Sequence, residues 1–306
     1  MALQITIDIF SGRPNPVVVV GGLEERELLA RLAPSPSGRG ARSRPPELPE
    51  ATLGYRGLIV ERIEDPGRPS GRRRPSAAAG RVRERFRVGA GVVIQRRGAI
   101  PARDPYVEEF VCGSTGPVRL AGLGPEFSRR CLEEIGRFRE LVARYRHRPI
   151  KWPIRTRCAC APLWEPAWWN DGGQKQWNNN CYNYGTNYRT DTFAQPGRAN
   201  GAQYATISCA DVKAGAVADA LIDAPRHGNR CPKEGHLVAL VVGPGWDYHW
   251  YRKGRNGYWT HKPGGTQATA LDNSGHLIPD PRTADRGNYT DFCTFMIVMH
   301  GHVQIG

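Results

Sequence analysis

Hydrophobic and polar residues alternate at the start of the chain in the way typical of a half-buried strand. Apolar residues occupy every second position from residue 3 to residue 9, with polar residues between most of them. A second apolar run follows at residues 17–20, after the turn-forming sequence SGRPNP. Residues 23–32 have the spacing of a short amphipathic helix, with acidic residues in the first turn. The start of the chain therefore predicts two strands and a helix.

The strongest helical pattern of the chain lies at residues 126–145. Its apolar positions step by three or four residues and form one continuous face: Phe127, Cys131, Ile135, Phe138, Val142 and Tyr145. Residues 82–95 alternate on both sides of a Gly-Ala-Gly sequence and predict a pair of strands. Residues 1–150 thus predict a small α+β domain.

The pattern changes after a linker-like segment at residues 146–153, where Trp, Tyr and Asn replace Arg as the prominent residues. A helix is predicted at residues 210–222, with Ser208 as its N-cap. Strands are predicted at residues 236–242, 248–252, 258–261, 276–278 and 295–299. Asn256 and Gly257 favour a hairpin between the second and third of these strands. Residues 151–306 therefore predict a second domain with an antiparallel sheet.

Composition adds two features to this division. The net charge is +14, and residues 1–150 account for most of it, with 27 Lys and Arg against 17 Asp and Glu. Residues 33–80 are rich in Arg, Pro, Gly and Ser, which indicates flexible loops that bury little apolar surface, around one ordered piece at residues 53–63. The charge therefore belongs to the first domain and suggests a binding or targeting role there.

A cluster of arginines in this first domain could contact an anionic surface such as a cell-wall polymer. The cluster consists of Arg72, Arg73, Arg74, Arg81, Arg83, Arg85 and Arg87. A solvated loop is the simpler interpretation, and no nucleic-acid-binding motif accompanies the cluster, so specific nucleic-acid binding is not expected. The longest apolar runs are too short for a membrane span, and the first residues do not resemble a secretory signal peptide. The protein is expected in the cytoplasm, or exported by another route.

Candidate chemistry lies in the second half, where Cys181 follows a polar, turn-forming segment and could begin a helix. The positive end of the helix dipole would lower the pKa of its thiol and favour the nucleophilic thiolate. A base must then come from elsewhere in the fold, and three histidines on predicted strands qualify: His236, His249 and His261. The predicted hairpin brings His249 and His261 together, so that one could be the base and the other could orient it. Asp272 or Asn273 could orient the base instead.

This order of residues resembles papain-like cysteine hydrolases, including the NlpC/P60 and CHAP-type amidases. In those families a helix presents the cysteine, a strand carries the histidine, and a further polar residue follows. The resemblance covers roughly residues 160–300 and implies a nucleophile helix packed on an antiparallel sheet. It also implies that Gln176, or Gln174, helps to stabilise the oxyanion. The implied activity is cleavage of an amide, peptide or isopeptide bond in a peptide or peptidoglycan-like substrate, with no cofactor. The residues that flank the nucleophile in papain are absent, since Tyr182 follows Cys181.

The eight cysteines and the many aromatic residues support a different hypothesis. Cysteines could pair as disulfides in an exported protein, although Cys131 faces the core of its predicted helix, so complete pairing is not expected. A zinc site is a less favoured use of Cys158, Cys160, Cys209 and Cys231 together with His227 and His236. If the cysteines pair as disulfides, the second half would be a disulfide-stabilised module that binds a glycan or a protein through its aromatic residues. Free thiols, including that of Cys181, would favour the enzyme.

Overall fold

The computed structural model describes residues 1–35, 48–49, 51–63, 84–95, 98–146 and 150–306. These residues form helices and antiparallel sheets, so the predicted mixed α+β class is confirmed. They group into two compact units. The first unit comprises Met1–Ile9, Asn15–Pro49 and Tyr55–Arg146, and the second comprises Phe10–Pro14, Glu50–Gly54 and His147–Gly306. Two short segments from the first 150 residues thus belong to the second unit.

The first unit contains a six-stranded antiparallel sheet with the strand order β2-β1-β3-β4-β5-β6. Its strands are β1 (Ala2–Asp8), β2 (Val17–Gly21), β3 (Gly57–Ile63), β4 (Glu84–Gly89), β5 (Val92–Gln95) and β6 (Gly98–Pro101). Its helices are α1 (Gly22–Leu32), α2 (Val107–Cys112) and α3 (Pro125–Arg144). The predicted strands at the start of the chain, the pair around Gly89–Gly91 and the long helix are all present. β6 and α2 were not predicted.

The apolar face of α3 is buried, as its periodicity predicts, and includes Ile135 and Phe138.

The first unit also contains a buried ion pair. The guanidinium of Arg56 lies 2.6 Å from the carboxylate of Asp8, and both side chains are buried. Burial raises the pKa of Asp8, but the charge and hydrogen bonds of Arg56 outweigh this and hold that pKa below its usual value. Most of the predicted flexible loops at residues 33–80 lie outside the described residues. The same holds for five arginines of the predicted cluster: Arg72, Arg73, Arg74, Arg81 and Arg83.

The second unit contains a five-stranded antiparallel sheet with the strand order β10-β9-β8-β11-β7. Its strands are β7 (Ile222–Asp223), β8 (His236–Gly243), β9 (Asp247–Lys253), β10 (Trp259–His261) and β11 (Asp291–Val298). Its helices are α4 (Gln174–Asn178), α5 (Cys181–Thr186) and α6 (Cys209–Ala218). The predicted strand at residues 276–278 makes only isolated bridges, to Leu271 and Trp259. α6 begins after Ser208, whose side chain accepts from the Asp211 N–H, and it ends before the chain enters β7.

Both faces of this second sheet are covered, which explains why β8 is apolar after His236 and buried along its whole length. On one face Val238, Leu240 and Val242 pack with Tyr248, Trp250 and residues of α5 and α6. On the other face the alternate residues of the same strands form a second apolar cluster: Leu237, Ala239, Val241, Tyr251, Trp259 and Phe295. α5 packs directly against β9. This packing brings the start of α5 close to the strand that carries His249.

Two disulfides join distant parts of the second unit, Cys158 to Cys231 and Cys209 to Cys293. The second bond connects the first residue of α6 to β11 across a sequence separation of 84 residues. A bond that closes so long a loop restricts the unfolded chain strongly, so replacing both Cys209 and Cys293 by alanine should lower the free energy of unfolding by about 2–4 kcal/mol. Urea unfolding monitored by tryptophan fluorescence measures this change. Cys160→Ala is the matched control because Cys160 is a free, exposed cysteine. An unchanged urea midpoint in the double variant would contradict the expectation.

Candidate cysteine–histidine site

Cys181 is the first residue of α5 and carries a free, fully buried thiol. The residue before it, Asn180, closes a capping box in which its side chain accepts from the N–H groups of Tyr182 and Asn183. Burial raises the pKa of the Cys181 thiol far above its usual value, and the nearby carboxylate of Asp247 adds to this effect. The thiol is therefore protonated at neutral pH in this conformation, although its position on the helix alone would favour the thiolate.

The side chain of Ser11 connects the thiol to a pair of histidines. The Ser11 side chain lies beside Cys181 and lowers the pKa of its thiol, and the Ser11 hydroxyl lies 2.5 Å from Nδ1 of His249. Nε2 of His249 lies 2.9 Å from Nδ1 of His261, and Nε2 of His261 lies 2.9 Å from the carbonyl oxygen of Leu271. All four side chains are fully buried. The hairpin of β9 and β10 thus brings His249 and His261 into contact, and a backbone carbonyl holds the second imidazole.

The carbonyl at the end of this chain of hydrogen bonds fixes the proton on each imidazole. Burial lowers the pKa of His261 to about 4, so its ring is neutral near pH 7. A carbonyl oxygen only accepts, so Nε2 of His261 carries the proton and Nδ1 accepts from Nε2–H of His249. In neutral His249 the remaining nitrogen, Nδ1, is then unprotonated and accepts from the hydroxyl of Ser11. The arrangement therefore presents a basic nitrogen to Ser11, next to Cys181.

A buried carboxylate lies beside this chain, on the same strand as His249. The carboxylate of Asp247 accepts from three consecutive backbone N–H groups: Ser11 at 2.5 Å, Gly12 at 3.2 Å and Arg13 at 3.1 Å. It also accepts from the hydroxyl of Tyr289 at 2.6 Å. Burial raises the pKa of Asp247 despite these donors. Asp247 therefore holds the main chain of a peptide segment against the site.

Three side-chain donors converge on one carbonyl oxygen of that same segment. The carbonyl of Gly12 accepts from Nδ2 of Asn180 at 2.8 Å, Nε2 of Gln195 at 2.9 Å and the hydroxyl of Tyr248 at 3.2 Å. All three donor side chains are buried, and Asn180 directly precedes Cys181. Such a set of fixed donors can polarise a carbonyl or stabilise an oxyanion.

The other predicted site residues make different contacts. Oε1 of Gln176 accepts from the Gly172 N–H, and its backbone carbonyl accepts from the buried ammonium of Lys262. His236, at the start of β8, lies 2.8 Å through Nε2 from the carbonyl oxygen of Gly185. The carboxylate of Asp272 accepts from backbone N–H groups of its own loop and of Asp285. His261 thus takes its orienting contact from the Leu271 carbonyl rather than from Asp272.

The proposed zinc ligands are used differently, because Cys158, Cys209 and Cys231 lie in disulfides. The part of the chain that the structure describes holds no cluster of three residues suited to a metal ion. Of the arginine cluster, only Arg85 and Arg87 are described. Arg85 pairs with Glu61 at 3.5 Å, and Arg87 donates to the Arg56 carbonyl.

The aromatic residues of the second half contribute largely to its core. Trp169, Tyr182 and Tyr184 are fully buried, whereas Trp168 is exposed and stacks with Arg189. The described residues also contain no helix that is both long enough and apolar enough to cross a membrane.

The sequence reasoning missed four residues that complete the site: Ser11, Asn180, Gln195 and Asp247. Ser11 lies in a segment that reads as a turn, 170 positions before Cys181. Asp247 stands two positions before His249, where nothing in the local pattern marks it as a site residue. The sequence offers one signal. The segment Ser-Gly-Arg-Pro-Asn-Pro connects two apolar strands but does not have the sequence of a tight hairpin turn.

The fold and the site define an α+β protein with a buried cysteine–histidine centre. The chain is 50% identical over 136 residues to insoluble matrix shell protein 1 of Ruditapes philippinarum, a match that covers 44% of this chain and 87% of the relative. The chain therefore belongs to the same family as that shell matrix protein. No family model matches the chain, and no solved structure matches it.

Proposed function

We propose that the protein is a thiol hydrolase that cleaves an amide, peptide or isopeptide bond, with Cys181 as nucleophile and His249 as base. The observation that carries the proposal is the set of contacts from Cys181 through Ser11 to His249, His261 and the Leu271 carbonyl. It contains the parts that nucleophilic catalysis needs: a thiol, an imidazole whose basic nitrogen faces the Ser11 hydroxyl beside that thiol, and a group that orients the imidazole. The resemblance to papain-like hydrolases rests on the same order of residues.

In the resting form the Ser11 hydroxyl occupies Nδ1 of His249, and the Gly12 carbonyl occupies the donors Asn180 and Gln195. In the proposed reaction the substrate takes the place of this segment, Nδ1 of His249 then takes the proton of the Cys181 thiol, and the sulfur attacks the substrate carbonyl. The carbonyl oxygen becomes an oxyanion, which Asn180, Gln195 and Tyr248 would stabilise by donating hydrogen bonds. Collapse of this intermediate breaks the C–N bond, and His249 returns the proton to the leaving amine. Water then hydrolyses the thioester, and the thiol is restored. The buried, protonated thiol of this structure is the resting form of the site.

The test is amide cleavage by the purified full chain, measured as amine release from unstructured polypeptides and from a peptide library. Alkylation of Cys181 by iodoacetamide, confirmed by peptide mapping, should abolish the release because the alkylated sulfur cannot attack. Cys160, which is exposed, should react first and without effect on activity. Amine release that persists after complete alkylation of Cys181 would refute a thiol mechanism.

A second candidate function is that of an extracellular structural protein that binds matrix components. The two disulfides favour it, since such bonds persist in oxidising compartments outside the cytoplasm. The name of the family member, a shell matrix protein, points the same way. On both grounds we propose that the protein works outside the cytoplasm. Absence of any amine release, together with retention of the protein on an insoluble glycan or protein matrix, would favour this candidate.

A further inference from the structure

The segment Phe10–Pro14 is held in the second unit through its main chain, as a bound peptide would be. Three successive N–H groups donate to Asp247, as described above. The carbonyl of Ser11 accepts from the Gly264 N–H at 3.1 Å, and the carbonyl of Gly12 takes the three side-chain donors. Main-chain groups are common to all peptides, so this set of contacts could hold a different peptide of suitable shape.

One position of the segment permits only glycine. A Cβ atom on Gly12 would lie 2.4 Å from Cε2 of the Tyr248 ring, far inside van der Waals contact. Tyr248 cannot readily move, because its ring is buried and its hydroxyl also bonds Gln195 at 3.0 Å. The restriction is steric and lies in the site itself, so it would apply to any peptide bound in the same way.

Side chains on both sides of Gly12 add contacts with a single residue, Trp246. The ring of Phe10 packs edge-on against Trp246 with 5.0 Å between ring centroids. Arg13 lies with its guanidinium 4.5 Å from the Phe10 ring and donates to the Trp246 carbonyl at 3.1 Å. An aromatic residue two positions before the glycine and an arginine directly after it therefore fit this surface.

The carboxylate of Asp247 explains why the site needs such a segment. A buried carboxylate is costly unless hydrogen bonds compensate for the lost water. Ser11, Gly12 and Arg13 supply three of the donors that Asp247 receives. The pocket is therefore electrostatically matched to the N–H groups of a peptide main chain.

We propose that the pocket formed by Asn180, Gln195, Asp247 and Tyr248 is a peptide-binding subsite selective for the pattern aromatic–small–Gly–Arg. Residues Phe10–Pro14 are its resident intrachain ligand and cover Cys181. Where it concerns substrates, this inference rests on the proposed function. It predicts that the enzyme cleaves peptides in which glycine stands next to a small residue.

The test compares the rate of Cys181 alkylation by iodoacetamide in the wild type and in Gly12→Ala, measured by peptide mapping. The added methyl group clashes with Tyr248 and should displace the segment, so we expect labelling to be faster by about tenfold or more. Gly136→Ala is the matched control, because a Cβ at Gly136 meets nothing within 4 Å. Labelling of Cys181 at the wild-type rate in Gly12→Ala would overturn the proposal.

General unfolding is distinguished within the same samples. Cys112 and Cys131 are free and buried in the first unit, and Cys160 is exposed. Selective exposure of Cys181 leaves Cys112 and Cys131 unlabelled, with near-ultraviolet circular dichroism unchanged. If Gly12→Ala does not fold, Arg13→Ala replaces it. Arg13 is only partly buried, and the loss of its stacking and of its bond to Trp246 should still raise Cys181 labelling by about tenfold. An unchanged labelling rate in Arg13→Ala would then refute the proposal.

Direct binding completes the test. A fluorescent peptide of residues 8–16, DIFSGRPNP, should bind the Gly12→Ala protein saturably and the occupied wild type much more weakly. The same peptide with alanine in place of glycine is the control, and equal binding of the two peptides would contradict the selectivity. Binding without amide cleavage would leave this inference intact and remove the proposed function. Amide cleavage by the protein, together with a Cys181 labelling rate that Gly12→Ala leaves unchanged, would support the proposed function and refute this inference.

Discussion

Replacing Cys181 by alanine is expected to lower the rate of amide cleavage by about 10⁴-fold or more. The expectation follows from the position of the thiol, which lies beside Ser11, whose hydroxyl contacts the basic nitrogen of His249. A methyl group in its place cannot form a thioester, whereas His249, His261 and their contacts are left intact. Steady-state amine release by equal concentrations of the two proteins measures the difference.

Cys160→Ala is the control for this substitution, because it removes a free thiol that is exposed rather than buried. Its rate should equal that of the wild type. Thermal unfolding should show that Cys181→Ala remains folded, since only one buried sulfur atom is lost. A Cys181→Ala protein that retains more than about a tenth of the wild-type rate would rule out the thiol as nucleophile. The serine hydroxyl at position 11 would then be the group to examine, since it lies 2.5 Å from Nδ1 of His249.

The histidine pair could be predicted from the sequence because its geometry is local. An Asn-Gly turn between two aromatic-rich strands sets the register of a hairpin, and the register places His249 and His261 close to each other. The position of Cys181 at the start of a helix was likewise predicted from the polar turn residues before it. Helix α3 is equally local, because its periodicity alone identifies its buried face.

The contributions of Ser11 and Asp247 could not be predicted, because they depend on contacts between residues more than 200 positions apart. A turn-forming segment such as Ser-Gly-Arg-Pro carries no sign of which surface it will meet. The state of the thiol was also beyond local reasoning. The position of Cys181 on its helix favours the thiolate, but the complete burial of its side chain reverses that effect. Local pattern therefore identifies the reactive groups, and tertiary packing decides whether they are active.

Lowering the pH from 7 to 4 is expected to reduce the free energy of unfolding through two buried histidines. Burial lowers the pKa of His261 to about 4, and burial together with the positive charge of Arg252 lowers that of His236 to about 3. In the unfolded chain both titrate near pH ~6.5. Between pH 6.5 and 4 the unfolded chain therefore binds protons that the folded chain excludes, and stability is lost as the pH falls. At about 1.4 kcal/mol per pKa unit, each histidine contributes about 3 kcal/mol by pH 4, or about 6 kcal/mol for the pair.

Buried carboxylates act in the opposite direction, so the contribution of a histidine must be measured as a difference between variants. Burial raises the pKa of Asp247 and Glu108, and these groups take up protons in the folded state as the pH falls. His236→Gln retains a side-chain amide that can donate to the Gly185 carbonyl and removes the titration. Its loss of stability between pH 7 and pH 4, measured by urea unfolding, should be smaller than that of the wild type by about 3 kcal/mol. His302→Gln, at an exposed position, should parallel the wild type. If His236→Gln also parallels the wild type, the imidazole of His236 is not held neutral by its burial under α5.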